Sequence, residues 1–211
     1  DQVQSNCGNF GTTAIDRAIK DIIAKTEAKL GGILNEVDSR PLFSAVGIAG
    51  PDQLFIPTQD GLSEIAPQRA TDGSLCYPLV AKLVSSDLPH KSEHGAIMLN
   101  IENSAALSLA ISKMLDLIQT SAQYAHIEGV LLQEMVFGLG EAIIGLHRDN
   151  LVGPIITVGA GGVFAEVYRD ISLRPTPVTL STAHEMIAEV KGFATLRGYR
   201  GGANTDLKAL A

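Results

Sequence analysis

A chain of 211 residues is long enough to bury one substantial core or two small subdomains packed together. Its composition, 45% hydrophobic and 18% charged, excludes a disordered or fibrous protein. A net charge of −7 without any cluster of Lys or Arg excludes a nucleic-acid groove, which needs a basic stripe to displace counterions from phosphates.

The N-terminus, DQVQSNCGNF, has no apolar run of the signal-peptide kind, and no stretch reaches membrane-spanning length, so no membrane partner and a cytoplasmic location are expected. The missing initiator Met reads as a cut or processed end. Cys7 and Cys76 match no metal or redox spacing and read as two thiols in a reducing compartment. Residues 12–30 place Ile15, Ala18, Ile19, Ile22, Ile23 and Leu30 on one helical face, with Thr12 or Thr13 as cap and Gly31-Gly32 as stop. A weaker helix is expected over 34–46, ending at Gly47. Residues 50–75 contain three prolines and no periodicity, so they read as loop with one short helix near Asp60–Gln68.

From Tyr77 the pattern changes. YPLVAKLVS reads as a buried strand, and AIMLNI (96–101) as its partner across a polar loop at 86–95. A helix follows, capped by Asn103 or Ser104, with Leu107, Ala110, Ile111, Met114, Leu115 and Ile118 at helical spacing. Strands are expected at 129–136, 141–149 and 154–159, with a fourth through VFAEVYRDI before Pro175 and Pro177. Thr182 with Glu185 has the capping-box pattern for a helix to about Lys191. The tail begins as loop and starts a helix at its end. With Trp absent and aromatics at 5%, the core must be built of Ile, Leu, Val and Ala. Such cores are common in α/β proteins, whose parallel strands are buried on both faces, and the interleaving of helices and strands argues for an α/β or α+β class. A subdomain seam is expected near 136–140.

Several familiar motifs fail. In VGAGGVF (158–164) the third glycine of a dinucleotide fingerprint would fall on Phe164, and the stretch does not open a βαβ unit. No Gly-Lys-Ser/Thr sequence exists for a P-loop, and no G-x-S-x-G for a nucleophile elbow. The five histidines lack metal spacing; His90 and His94 are four apart, but in a polar Pro-containing loop.

What remains is a series of polar residues whose order matters. Lys82 interrupts an apolar strand; read alone it is an edge-strand lysine reaching for water, or a buried one meeting an anion. His90, Lys91 and Ser92 follow Pro89 in a loop that is either a solvated patch or a phosphate holder. Gln133-Glu134-Met135-Val136 ends a strand in a carboxylate and an apolar pair, as suits an adenine hinge read by backbone groups and sandwiched by side chains. Glu141 heads the next strand, as a plain surface carboxylate or an acceptor for a ribose hydroxyl. Glu166, Tyr168 and Asp170 share a strand face, Glu166 and Asp170 roughly 13 Å apart. Those two ligate one ion only if the strand bends. The glycines at 159, 161 and 162 either admit a phosphate or make a tight turn.

In this order the segments YPLVAKLVSSDLPHKSEHGAIMLN, GVLLQEMV, GLGEAIIGLHRDNLVGPIITVGAGGVFAEVYRDISLRPTP and LRGYRGGANTDLKALA resemble the ATP-grasp domain of the ADP-forming acyl-CoA synthetases, also called acetate–CoA ligases. The resemblance covers about 77–211 and, more faintly, the stretch from Leu34, where SAVGIAGP resembles the family's YGIPVP turn. It implies an α/β ATP-grasp fold of two subdomains with the nucleotide between them: an N-terminal helix and linker at 1–33, a first subdomain at 34–136 and an incomplete second one at 137–211. It implies phosphoryl transfer between a phosphohistidine and ADP or ATP during acyl-CoA and carboxylic acid interconversion. His90 matches the carrier histidine, whose neutral imidazole is nucleophilic near pH 7. Lys82 matches the strand lysine on the nucleotide phosphates, with Lys91 beside the histidine. Glu134, Met135 and Val136 match the adenine hinge, Glu141 the acidic residue at the ribose, and Asp170 and Arg174 the D…R..P segment lining the site.

The resemblance also implies ATP or ADP with magnesium, and a CoA-binding or ligase domain or subunit as partner; a homo-oligomer is left open. The family's second glycine after HKSD is Ala96 here, which narrows the phosphate approach. Related sequences continue past Ala211 into an E.NP segment and a DA strand that supply magnesium ligands, so no metal ligand is assigned. A non-catalytic nucleotide-sensing module, as in fused protein acetyltransferases, is the alternative. The retained His90 and Lys82 favour the enzyme.

Overall fold

The structure is a computed structural model and describes residues 12–28, 34–58, 74–85, 96–121, 126–162, 169–198 and 205–211. The chain divides into two compact units, Asp1–Val136 and Phe137–Ala211.

The first unit carries helices α1 (Thr12–Ala28) and α2 (Glu36–Ala45), strands β1 (Gln53–Pro57), β2 (Leu79–Val84) and β3 (Ile97–Ile101), helix α3 (Ser104–Ser121) and strand β4 (Gly129–Glu134). Its sheet runs in the order β1-β4-β2-β3, with every pairing antiparallel. The expectation of parallel strands is thus corrected. The apolar runs that suggested them belong to β2 and β4, which are interior strands buried on both faces. On one face Leu79, Ala81, Leu83, Val130 and Leu132 pack with Leu107, Ile111 and Met114 of α3, where the helical spacing places them. The Asn103 side chain accepts the Ala106 amide and caps that helix. Truncating a wholly buried Met114 to Ala would cost about 2–5 kcal/mol.

Strand β1 was not expected; 50–58 read as loop. Its five residues pair with β4 from Gln53↔Gln133 to Pro57↔Gly129. Flanking prolines hid it, yet a proline is tolerated on an edge strand. Gly129 is required there: a Cβ would stand 2.3 Å from the Ile56 carbonyl oxygen. The other sheet face meets α2. Asn35 caps this helix by accepting the Asp38 amide, and its own amide donates to Glu128. In α1, Ile19 and Ile23 of the expected apolar face are half exposed. Lys25 ties the helix to Asp38 of α2.

The second unit holds strands β5 (Ala142–Asp149), β6 (Gly153–Ala160) and β7 (Ile171–Pro175), helix α4 (Leu180–Glu189) and 3₁₀ turns at Lys191–Ala194 and Leu207–Leu210. The strands form an antiparallel sheet in chain order. Between β5 and β6 the Asp149 carboxylate accepts the Leu151 and Val152 amides, which hold its pKa below the usual value. Val158 packs with Met186, Ile187, Val190, Phe193 and Leu196 to make this unit's core. Two expectations are corrected here. The last strand starts at Ile171, leaving Asp170 outside it. Helix α4 is capped by Thr179, whose hydroxyl accepts the Thr182 amide, so Thr182 sits inside the helix. No described helix is long and apolar enough to cross a membrane.

Candidate functional site

Lys82 does not lie on an edge strand. It sits at the fourth position of β2, between β4 and β3, with its side chain on the face opposite the α3 core. A cation there needs an anion, and α2 delivers one: Nζ donates to Glu36 Oε1 at 2.9 Å and Oε2 at 3.2 Å. Glu36 opens α2, where the helix dipole favours a carboxylate. Gln133 of β4 donates to the same Oε1 at 2.9 Å and to Gln53 at 2.7 Å, and Arg40 donates to Gln53 at 2.8 Å. A row of polar side chains thus crosses the sheet from Lys82 to Arg40. Beside it opens a cavity of about 270 Å³, lined by Glu36, Arg40, Phe43, Pro51, Gln53 and Gln133 among others.

The sequence reading missed Glu36, Arg40 and Gln53. One signal was available: Asn35-Glu36 is a cap followed by a first-turn carboxylate, but nothing local shows that this carboxylate meets a lysine 46 positions away.

Glu134 ends β4, and its carboxylate accepts the Cys76 amide at 2.6 Å. The Glu134 amide donates to Asp52 and the Met135 amide to Pro78. Met135 also offers its sulfur to the Asn100 amide. Val136 follows the strand and is 74% exposed, so an apolar surface stands free beside the strand end. Lys82 and this strand end therefore belong to one sheet. His90 and Lys91 lie outside the described residues.

In the second unit Glu141 immediately precedes β5, and the glycine segment closes on it. The Gly161 amide donates to the Glu141 carbonyl at 2.8 Å. A Cβ on Gly161 would lie 2.8 Å from the Glu141 Cβ, and Gly162 has φ +84, which glycine adopts freely. Asp170 accepts the Lys191 amide at 3.1 Å and the Gly192 amide at 2.5 Å, which fixes the start of the first 3₁₀ turn. Arg174 on β7 pairs with Glu189 at the end of α4, and Ser172 donates to that same carboxylate. Arg174 first, and then Ser172, hold the Glu189 pKa below its usual value. Glu189 had no signal in the sequence. Glu166 and Tyr168 lie outside the described residues.

Among the described residues no group of three or more His, Cys, Asp or Glu side chains comes together.

The profile of the ATP-grasp domain family matches residues 25–211. The chain is 37% identical over 199 residues to an ADP-forming acetate–CoA ligase of Archaeoglobus fulgidus, covering 94% of this chain and 28% of that enzyme. It is 30% identical to the β subunit of an ADP-forming acetate–CoA ligase of Pyrococcus furiosus, covering 93% of this chain and 83% of the subunit. An acetyl-coenzyme A synthetase of Candidatus Korarchaeum cryptofilum, solved with coenzyme A and Ca-AMPCP, superposes with a TM-score of 0.81 at 31% identity over 90% of this chain and 81% of that one. Another structure of that enzyme holds Mg-AMPPCP with a phosphohistidine segment pointing towards the nucleotide-binding site; it superposes with a TM-score of 0.71 at 29% identity, over 90% of this chain and 79% of that one. The chain thus spans most of the Pyrococcus β subunit and about a quarter of the Archaeoglobus ligase. The profile match over most of the chain, together with the similarity to the Pyrococcus subunit, makes the chain a member of the ATP-grasp domain family, in its ADP-forming acyl-CoA synthetase branch.

Proposed function

We propose that this chain is the nucleotide-binding part of an ADP-forming acyl-CoA synthetase and passes a phosphoryl group between His90 and ADP or ATP. The observation that carries the reading is the continuous similarity to the Pyrococcus β subunit over most of that subunit's length. The subdomains are 34–136 and 137–211, preceded by an N-terminal helix and linker at 1–33. Acyl-CoA and carboxylic acid are handled by a CoA-binding domain or subunit that works with this chain.

Each residue has a role set by its chemistry. Lys82 neutralises phosphate oxygens; its bonds go to a single carboxylate, and an ammonium has three N–H donors to share. The adenine edge is read by the Glu134 carbonyl and backbone groups of Val136, the Glu134 amide being bonded to Asp52. The Met135 amide is already bonded to Pro78, and Val136 offers an apolar surface to the ring. Glu141 accepts from the ribose, while Asp170 and Arg174 of the second unit take part in nucleotide binding with orientations set by their internal bonds. Lys91 stands next to the carrier and meets the transferring phosphoryl group. His90 Nε2 or Nδ1 attacks the γ-phosphorus of ATP, the bond to the β–γ bridging oxygen breaks, and ADP leaves; the reverse step charges ADP.

The test is labelling. The protein at its full natural length, given γ-labelled ATP and magnesium, acquires an acid-labile phosphate that His90→Ala abolishes. Nucleotide binding without labelling of the wild type would refute transfer and favour a sensing module.

A further inference from the structure

A lysine can meet a polyphosphate in two ways: swinging freely from its four-carbon stem, or held in place by a second residue. The second arrangement is what protein kinases use, where a helix glutamate fixes the strand lysine that contacts nucleotide phosphates. Here the same pair of residue types is present on a different scaffold. Glu36 is rigidly presented: it opens α2, that helix is capped by Asn35, and Gln133 anchors its Oε1 at 2.9 Å. Gln133 is in turn bonded to Gln53, which accepts from Arg40 one turn further along α2. The carboxylate is therefore tied to the sheet independently of Lys82. The Lys82 side chain remains 23% exposed, so its ammonium is reachable while paired.

We propose that Glu36 is the positioning residue for Lys82, holding the ammonium towards nucleotide phosphates and losing that function when its charge or reach is removed. This rests on the reading of Lys82 as a phosphate ligand. A glutamate that simply competed with phosphate for Lys82 would have the opposite effect on nucleotide affinity.

Calorimetry with ADP and with adenosine, on the protein at its full natural length, separates these cases. Glu36→Ala is expected to weaken ADP about tenfold and leave adenosine unchanged, since only the phosphates use Lys82. Glu36→Asp recovers part of the loss. Glu36→Gln, which keeps the side-chain shape, weakens ADP about threefold and provides the same test should the alanine variant fail to fold. In a Lys82→Ala background, Glu36→Ala causes no further change. Unchanged or tighter ADP binding in the Glu36 variants, with Lys82→Ala itself weakened, overturns the positioning role and leaves the nucleotide reading intact. Equal loss for adenosine and ADP overturns it in favour of a purely structural role. Normal ADP affinity in Lys82→Ala removes the phosphate reading of Lys82, and the positioning role with it.

Discussion

Replacing Glu134 separates two ways of recognising an adenine ring. If backbone groups read the base, the Glu134 side chain matters only through its bond to the Cys76 amide at 2.6 Å. A hydrogen bond to a charged group contributes about 1.5–3 kcal/mol. Cys76 is exposed, so water takes over part of that role in a truncation variant and the net loss falls to about 1 kcal/mol. Glutamine keeps an acceptor oxygen at the same reach, and Glu134→Gln should lose a few tenths of that, about 0.5 kcal/mol. If the whole local loss is passed to the bound state, Glu134→Ala weakens ADP by about fivefold and Glu134→Gln by about twofold. Calorimetric titration with ADP and adenosine measures both, and the two ligands should respond alike, because the hinge holds the base. A loss beyond about tenfold in Glu134→Gln would refute the backbone reading. The carboxylate would then be touching the nucleotide itself and not the 74–78 segment.

Two further outcomes follow from the second unit. The Arg174–Glu189 pair lowers the Glu189 pKa, so its stabilisation is complete above the ordinary glutamate value and is lost as pH falls through the lowered one. Thermal melts of Glu189→Gln should sit below the wild type at neutral pH, with the gap closing in acid and shrinking in salt because the carboxylate is half exposed; a gap constant across pH would rule the ion pair out as its source. Gly161→Ala places a methyl group 2.8 Å from the Glu141 Cβ and 3.1 Å from its carbonyl carbon, so backbone must move, at about 1–3 kcal/mol. Its melting temperature should drop and its ADP affinity with it, if Glu141 meets the ribose; full ADP affinity in the folded variant would detach Glu141 from the nucleotide.

Legibility followed the range of the forces involved. Helix α3 and strands β2 and β4 were readable because their signal is periodic and local, and burial on both faces leaves an unbroken apolar run. Strand β1 was not, since Gln53–Pro57 is an edge strand between prolines whose pairing partner lies some eighty positions on. The cap of α4 was placed three residues late because two threonines, Thr179 and Thr182, both suit the role. Chain direction in the sheets was also hidden: an interior antiparallel strand covered on both faces has the same composition as a parallel one. Lys82 and Glu141 drew notice from their places in the sequence, but what each bonds to came only with the structure.

That last difference bears on function. The described side chains assigned to the nucleotide already have partners within their own unit: Lys82 with Glu36, Glu134 with Cys76, Asp170 with the Lys191 and Gly192 amides, and Arg174 with Glu189. A ligand must then share these groups or displace their partners, and the two differ in consequence. Displacing Asp170 would strip two amides at the start of a 3₁₀ turn that packs Phe193 into the second core. Sharing Lys82 strips nothing, because the carboxylate keeps its bonds while the ammonium still has donor capacity. The same holds at the hinge, where a base read by backbone groups leaves the Glu134–Cys76 bond in place. On the proposed reading, Lys82 and the hinge backbone serve a nucleotide without unmaking the fold, and substitution of Lys82 is where binding should separate from stability.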